Sequence, residues 1–175
     1  MATIIPEIWP NFVSESHPEH LVYDLLAKLP EHYTVFYSKK FKGAVRSKEE
    51  CEVDFLIFDG SKNLICLEVK GGLIKYDGTR SQWFQNDKPM DKAPDRQASA
   101  ARAAVLEFLG HLGCDINVDW ALAFPNCSLP QHAGAVPEVP KDLIIDSLDL
   151  SDLPSAIQRI ENYFETHHGR TGTSP

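Results

Sequence analysis

Four charged residues set in two otherwise apolar segments are the part of this sequence able to do chemistry. Glu52 and Asp54 lie at the start of the run that continues Val53-Asp-Phe-Leu-Ile-Phe58, and Glu68 and Lys70 lie at the end of Leu64-Ile-Cys-Leu-Glu-Val69 and just after it. Both runs are rich in β-branched and aromatic residues and flank a short Asp59-Gly-Ser-Lys-Asn63 turn, so they read as an antiparallel hairpin. Residues two apart on a strand point to one face, which puts Glu52 with Asp54 and Glu68 with Lys70. A turn near residue 61 makes paired positions sum to about 122, setting Asp54 opposite Glu68 and Glu52 opposite Lys70. Two carboxylates and an ammonium then converge.

Carboxylates at such close quarters raise one another's pKa unless a cation compensates, and hard divalent cations prefer oxygen ligands. Mg²⁺ is the natural occupant, with Mn²⁺ as its substitute. Such an ion polarises a phosphoryl oxygen and makes a bound water more acidic, and Lys70 is placed to orient that water or to neutralise charge developing on a phosphate. The alternative from spacing alone is an unrelated α/β scaffold with a salt-bridged strand edge, Glu52 with Lys70 for example.

These groups need elements to hold them. Ser16 to Pro30 reads as a helix with Ser16 as its cap, Pro18 in its first turn, and Leu21, Val22, Leu25, Leu26 and Leu29 as its apolar stripe. Tyr33-Thr-Val-Phe-Tyr37 is a strand preceding the hairpin. Gly71-Gly72 ends the second hairpin strand, and Leu73 to Tyr76 with Ser81 to Gln85 suggests a second hairpin around Asp77-Gly78. A helix follows from Asp95 to His111, with Ala98, Ala101, Val105 and Phe108 at helical steps. Val118 to Phe124 and Leu143 to Ile145 read as strands, and Leu153 to His167 as a last amphipathic helix. This order describes one α/β domain over residues 1–168, with 169–175 a disordered tail.

The string Cys51-Glu-Val-Asp-Phe-Leu-Ile-Phe58 followed by Leu67-Glu-Val-Lys-Gly-Gly72 resembles the core motif of the PD-(D/E)xK nuclease superfamily, an Asp on one strand and Glu-x-Lys on the next. More narrowly, Glu-Val-Lys-Gly-Gly with Ile74 and Tyr76 after it resembles the nuclease-related domain, NERD, over about residues 15–125. The resemblance implies a restriction-endonuclease-like fold, a central mixed β-sheet flanked by helices. It implies Asp54 and Glu68 as metal ligands, the backbone carbonyl of Val69 as a further one, and Lys70 as the catalytic lysine. Glu19, on the first helix, would assist the metal directly or through water. Gln97, opening the later helix, would orient the attacking water or contact phosphate, and Glu52 would stand behind the site as a partner of Lys70. The activity implied is Mg²⁺-dependent hydrolysis of phosphodiester bonds in DNA, with RNA as a second nucleic-acid partner and a helicase or another DNA-processing protein as an associate. The alternative within the family is a catalytically weak module that binds nucleic acid or recruits a partner.

Composition sets the bounds of this reading. The 175 residues carry 17 Lys and Arg against 25 Asp and Glu, a formal charge of −8, which excludes broad, salt-sensitive coating of DNA. The surplus acid is C-terminal: residues 1–110 hold 14 basic and 16 acidic side chains, residues 111–175 hold 3 and 9. Lys39, Lys40, Lys42, Arg46 and Lys48 form a basic cluster suited either to a solvated face or to phosphate contact. There is no helix-turn-helix or zinc finger, so cleavage of low sequence specificity, or directed by DNA structure, is expected. Cys51, Cys66, Cys114 and Cys127 form no Cys-x-x-Cys pair, and the seven histidines show no metal-ligand spacing. Trp83 and Phe84 suit base stacking or a core; Tyr76 is better placed for phosphate. No apolar run is long enough to span a bilayer and no signal peptide is evident, so a cytoplasmic protein, nucleoid-associated when acting on DNA, is expected.

Overall fold

The computed structural model describes residues 1–42, 50–129 and 139–167, with the side chains of Lys42 and Glu50 left aside. In chain order the elements are β1 (Thr3–Ile5), α1 (Pro18–Leu26), β2 (Thr34–Lys42), β3 (Glu50–Phe58), β4 (Asn63–Val69), β5 (Ile74–Asp77), β6 (Gln82–Gln85), β7 (Lys88–Pro89), α2 (Pro94–His111), β8 (Asn117–Phe124), β9 (Ile144–Asp146) and α3 (Leu153–His167). The described strands form a six-stranded sheet in the order β1-β2-β3-β4-β8-β9 and a three-stranded sheet β5-β6-β7. β2, β3 and β4 run antiparallel, while β8 lies parallel to β4 and β9 parallel to β8. The large sheet is therefore mixed, and α2 crosses over from β4 to β8.

β4 is at the centre, and every one of its seven residues is buried. That explains a nearly unbroken apolar run, since a strand covered on both faces has no solvent side to make polar. One face packs Phe55, Ile57, Ile65 and Leu67 against Val22 and Leu26 of α1 and Ile157, Ile160 and Phe164 of α3. The other packs Leu56, Leu64, Cys66 and Val118 against Ala101 and Val105 of α2. The small sheet sits against the same molecule through Ile74 and Trp83, which join Ala98, Leu122 and Phe124.

The tight turn between β3 and β4 has a local cause. Asp59 Oδ1 accepts the backbone N–H groups of Ser61, Lys62 and Asn63 at 2.8, 3.0 and 3.0 Å, and Gly60 takes a φ of 77° that a side chain would resist. α1 begins one residue later than expected: His17 is its cap and Pro18 opens it. It ends at Leu26 rather than reaching Pro30, and its apolar stripe is narrower than the pattern suggests, with Val22 and Leu26 buried and Leu21 exposed. β1 and β7, three and two residues long, are too short to leave a periodic signature. The four cysteines are free thiols; burial pushes Cys66 up to about 12. No helix among the described residues is long and apolar enough to cross a membrane. Arg46 and Lys48 of the basic cluster, and the C-terminal residues from 168 on, lie outside the described residues.

Candidate active site

The β3–β4 ladder runs Phe58↔Leu64, Ile57↔Ile65, Leu56↔Cys66 and Phe55↔Leu67, each pair summing to 122, and then stops. Asp54 and Glu68 would form the next rung. Instead the side chain of Asp54 replaces the missing backbone partner: its Oδ2 accepts the Val69 N–H at 2.8 Å. This ties the carboxylate of β3 to the end of β4 and fixes it where the two strands part. β4 meanwhile keeps its pairing to β8 on the other side, and the Lys70 N–H donates to the Ala123 carbonyl at 2.9 Å.

Beyond that point Lys70 turns back on its own strand. Its Nζ donates to Glu68 Oε1 at 2.6 Å, with the Glu68 side chain 7 % and the Lys70 side chain 20 % exposed. A charge-assisted contact this short and this shielded is worth more than a surface pair. The expected opposition of Glu52 and Lys70 is not made. The ladder ends three residues before Glu52, so the strands have separated there, and Glu52 lies across from Lys40 of β2. Its Oε1 accepts Ser38 Oγ–H at 2.6 Å, so Glu52 is a partner of Ser38 rather than of Lys70.

Electrostatically the site holds too much negative charge for its degree of burial. Asp54 is pushed up from 3.8 to about 8, first by loss of water, then by the charges of Glu68 and Glu19, against the lowering effect of the Val69 N–H and Lys70. Glu68 also moves upward, by burial first, with Lys70 opposing and Glu19 and Glu52 adding to the rise. Asp54 Oδ1 and Glu68 Oε2 accept no hydrogen bond among the described residues, and none of the buried side-chain nitrogens and oxygens there lacks a partner. These two oxygens therefore reach open space. Two solvent-reachable carboxylates at the parting ends of β3 and β4, close enough for the Glu68 charge to raise Asp54 and with their own charge under-compensated, fit a hard divalent cation. Among the described residues no three His, Cys, Asp or Glu side chains form a ready-made metal cage, so such an ion would rest on Asp54 and Glu68, with backbone carbonyl and water as its other ligands.

Glu19 enters from the first turn of α1, 18 % exposed at its side chain, and Tyr37 of β2 donates its hydroxyl to Glu19 Oε2 at 2.7 Å. Tyr37 is itself buried, and the loss of water together with the Glu19 carboxylate holds its phenol well above 10, so it remains a donor. Gln97 lies half-buried in the first turns of α2 and makes no hydrogen bond with the acids among the described residues. Trp83 is core: it is 3 % exposed, and its indole N–H donates to the buried Asp95 at 3.1 Å. Tyr76 packs on it, ring centroids 5.1 Å apart.

The two glycines after Lys70 have distinct jobs. A Cβ on Gly71 would lie 2.1 Å from Pro18 Cγ, so a bare backbone lets the start of α1, and Glu19 with it, approach the end of β4. Gly72 has a φ of 79°, and its N–H donates to Asn126 Oδ1 at 2.9 Å. Gln85 Nε2 donates to the Gly71 carbonyl at 2.8 Å and Leu73 N–H to Asn86 Oδ1 at 2.9 Å. Tyr37, Ser38, Asn86 and Asn126 escaped the sequence reading. A polar or aromatic residue in a strand or loop gives no sign of its long-range partner.

A mixed sheet whose antiparallel strands part around Asp and Glu-x-Lys, with helices on both faces, is a nuclease-like fold. The family model for the nuclease-related domain matches residues 14–125, and the chain belongs to that family. No curated protein and no solved structure matches it.

Proposed function

We propose that this protein is a divalent-metal-dependent nuclease that hydrolyses phosphodiester bonds in DNA, with cleavage of low sequence specificity or directed by DNA structure. The observation that carries the reading is the meeting of Asp54, Glu68 and Lys70 at the point where β3 and β4 separate. Membership of the nuclease-related domain family supports it. When bound, Mg²⁺ would supply Lewis-acid polarisation of the phosphate and a more acidic water.

The chain's own groups divide the remaining work. Asp54 and Glu68 supply the anionic oxygens that hold the ion, and the Val69 carbonyl adds a neutral one. Lys70 brings the positive charge next to Glu68, where it can hydrogen-bond a phosphate oxygen and stabilise charge that grows there during attack. Glu19, held by Tyr37, is oriented to accept a hydrogen bond from a water in the site. Gln97 contributes a neutral donor from the α2 side. Phosphate contacts of this kind position a backbone without reading bases, which favours low specificity.

The test is cleavage of single-stranded, double-stranded and branched DNA with Mg²⁺ or Mn²⁺ by the wild type and by Glu68→Ala. The reading expects metal-dependent cleavage lost by at least about a hundredfold in the variant. Equal cleavage by both proteins means that the assigned site is wrong. DNA binding by both without cleavage by either points to a recruitment module instead.

A further inference from the structure

β2 and β3 pair with one constant register, Thr34↔Phe58 through Tyr37↔Phe55 and again from Lys39↔Val53 to Lys42↔Glu50. The single rung left out is Ser38 against Asp54. Ser38 has a φ of 49°, a left-handed conformation in the middle of a nine-residue strand where a serine rarely goes. The faces of both strands confirm that something turns over there. Val35 and Tyr37 face the α1/α3 side, yet Phe36 and Phe41, five residues apart, both pack toward α2. On β3, Phe55 and Ile57 face α1 and α3, while Leu56 and Phe58 share the α2 side with Cys51 and Val53. Strict alternation would forbid both arrangements. Each strand inverts its faces at the same rung, and that rung holds Asp54.

The two residues at the inversion also hold the two outlying acids. Tyr37, wedged between Trp9, Tyr23 and Phe55 at centroid distances of 4.9, 6.1 and 5.1 Å, gives its hydroxyl to Glu19. Ser38 gives its hydroxyl to Glu52. We propose that the Tyr37–Ser38 step of β2 is the positioning element of the acidic site, the Ser38 backbone re-aiming Asp54 and the two hydroxyls fixing Glu19 and Glu52. This rests on the nuclease reading above and adds to it residues that touch neither metal nor DNA. A glutamate has three side-chain torsions, and a rigidly packed phenol selects one arrangement of them before any ligand arrives. Backbone inversion at Ser38 does the same for Asp54 by turning its Cα–Cβ bond toward the gap beside β4.

The experiment measures Mn²⁺ binding by calorimetry, and steady-state cleavage, for wild type, Tyr37→Phe, Ser38→Val and Ser38→Gly, with Asp54→Asn as control. Circular dichroism and thermal melting establish that each variant is folded. Tyr37→Phe keeps the packed ring and is expected to weaken Mn²⁺ about tenfold and to lower kcat with KM for DNA within about twofold. Ser38→Val, whose branched side chain resists positive φ, is expected to lose at least as much; Ser38→Gly, which accepts that φ freely, recovers most of the loss. Tyr37→Phe binding Mn²⁺ as wild type does, or Ser38→Gly behaving no better than a folded Ser38→Val, overturns the proposal while Asp54→Asn still abolishes binding. If Asp54→Asn binds Mn²⁺ normally, or the wild type does not bind it, the nuclease reading fails first and takes this one with it. Should Ser38→Val fail to fold, Tyr37→Phe alone decides.

Discussion

Replacing Asp54 by Asn should make the metal-free protein more stable at alkaline pH while destroying its capacity for metal. The folded Asp54 carboxyl holds its proton up to about 8, whereas an unfolded one releases it near 3.8. Between those values the folded state binds more protons than the unfolded state, so metal-free stability falls as pH rises through the window. At about 1.4 kcal/mol per pH unit the full window sets a ceiling of about 6 kcal/mol. Water reaches Asp54 Oδ1, and Asp54 and Glu68 titrate as a pair, so a loss of about 2 kcal/mol between pH 5 and pH 8 is expected for the wild type. Asparagine is nearly isosteric and its side-chain oxygen can still accept the Val69 N–H, so Asp54→Asn should show a flatter profile. Urea denaturation in EDTA at pH 5, 6, 7 and 8 measures both slopes. Mg²⁺ at about a hundred times its dissociation constant should restore about 2.7 kcal/mol to the wild type at pH 8 and nothing to the variant. A wild-type profile flat from pH 5 to 8, or an Asp54→Asn protein less stable than wild type at pH 8, would refute the electrostatic account of the site.

Three further outcomes follow from the same geometry. Gly71→Ala puts a Cβ 2.1 Å from Pro18 Cγ, and reaching even a tight 3.4 Å contact needs a shift of about 1.3 Å, so α1 should move outward. Its expected cost is about 1–3 kcal/mol in denaturation, with a loss of cleavage far larger than the lost stability because Glu19 moves with the helix. Asp95→Ala leaves the buried Trp83 indole N–H without its acceptor and should cost about 1–3 kcal/mol in a urea titration while leaving Mn²⁺ affinity intact. Lys70→Met should lower kcat by at least about tenfold while tightening or sparing Mn²⁺ binding, measured by calorimetry, because it removes the cation that competes for Glu68.

What the sequence disclosed depended on how local each signal is. The β3–β4 register could be read from a single turn: Asp59 and Gly60 impose it, and the pairs sum to 122 as the turn centre requires. Extending that arithmetic to Glu52 and Lys70 failed because it assumes a ladder that continues, and the ladder ends at Phe55↔Leu67. Nothing in the run Cys-Glu-Val-Asp announces that a side chain rather than a backbone carbonyl takes the next N–H. The Gly-Gly pair was visible, but its reason, the approach of Pro18, depends on an element more than fifty residues earlier. The Ser38 inversion was hidden for a related cause: β2 keeps plausible strand composition on both sides of it, and only its two packing partners reveal that the faces change. β-sheet sites are assembled from such non-local contacts, whereas the helices α2 and α3 were legible from their own periodicity.

The central claim is that Asp54 and Glu68 share one divalent cation. Diffraction from crystals soaked in Mn²⁺, recorded at the manganese absorption edge, tests it most directly. The account predicts an anomalous peak in contact with Asp54 Oδ1 and a Glu68 oxygen; a peak bound elsewhere, or none between these two carboxylates at saturating Mn²⁺, would contradict it.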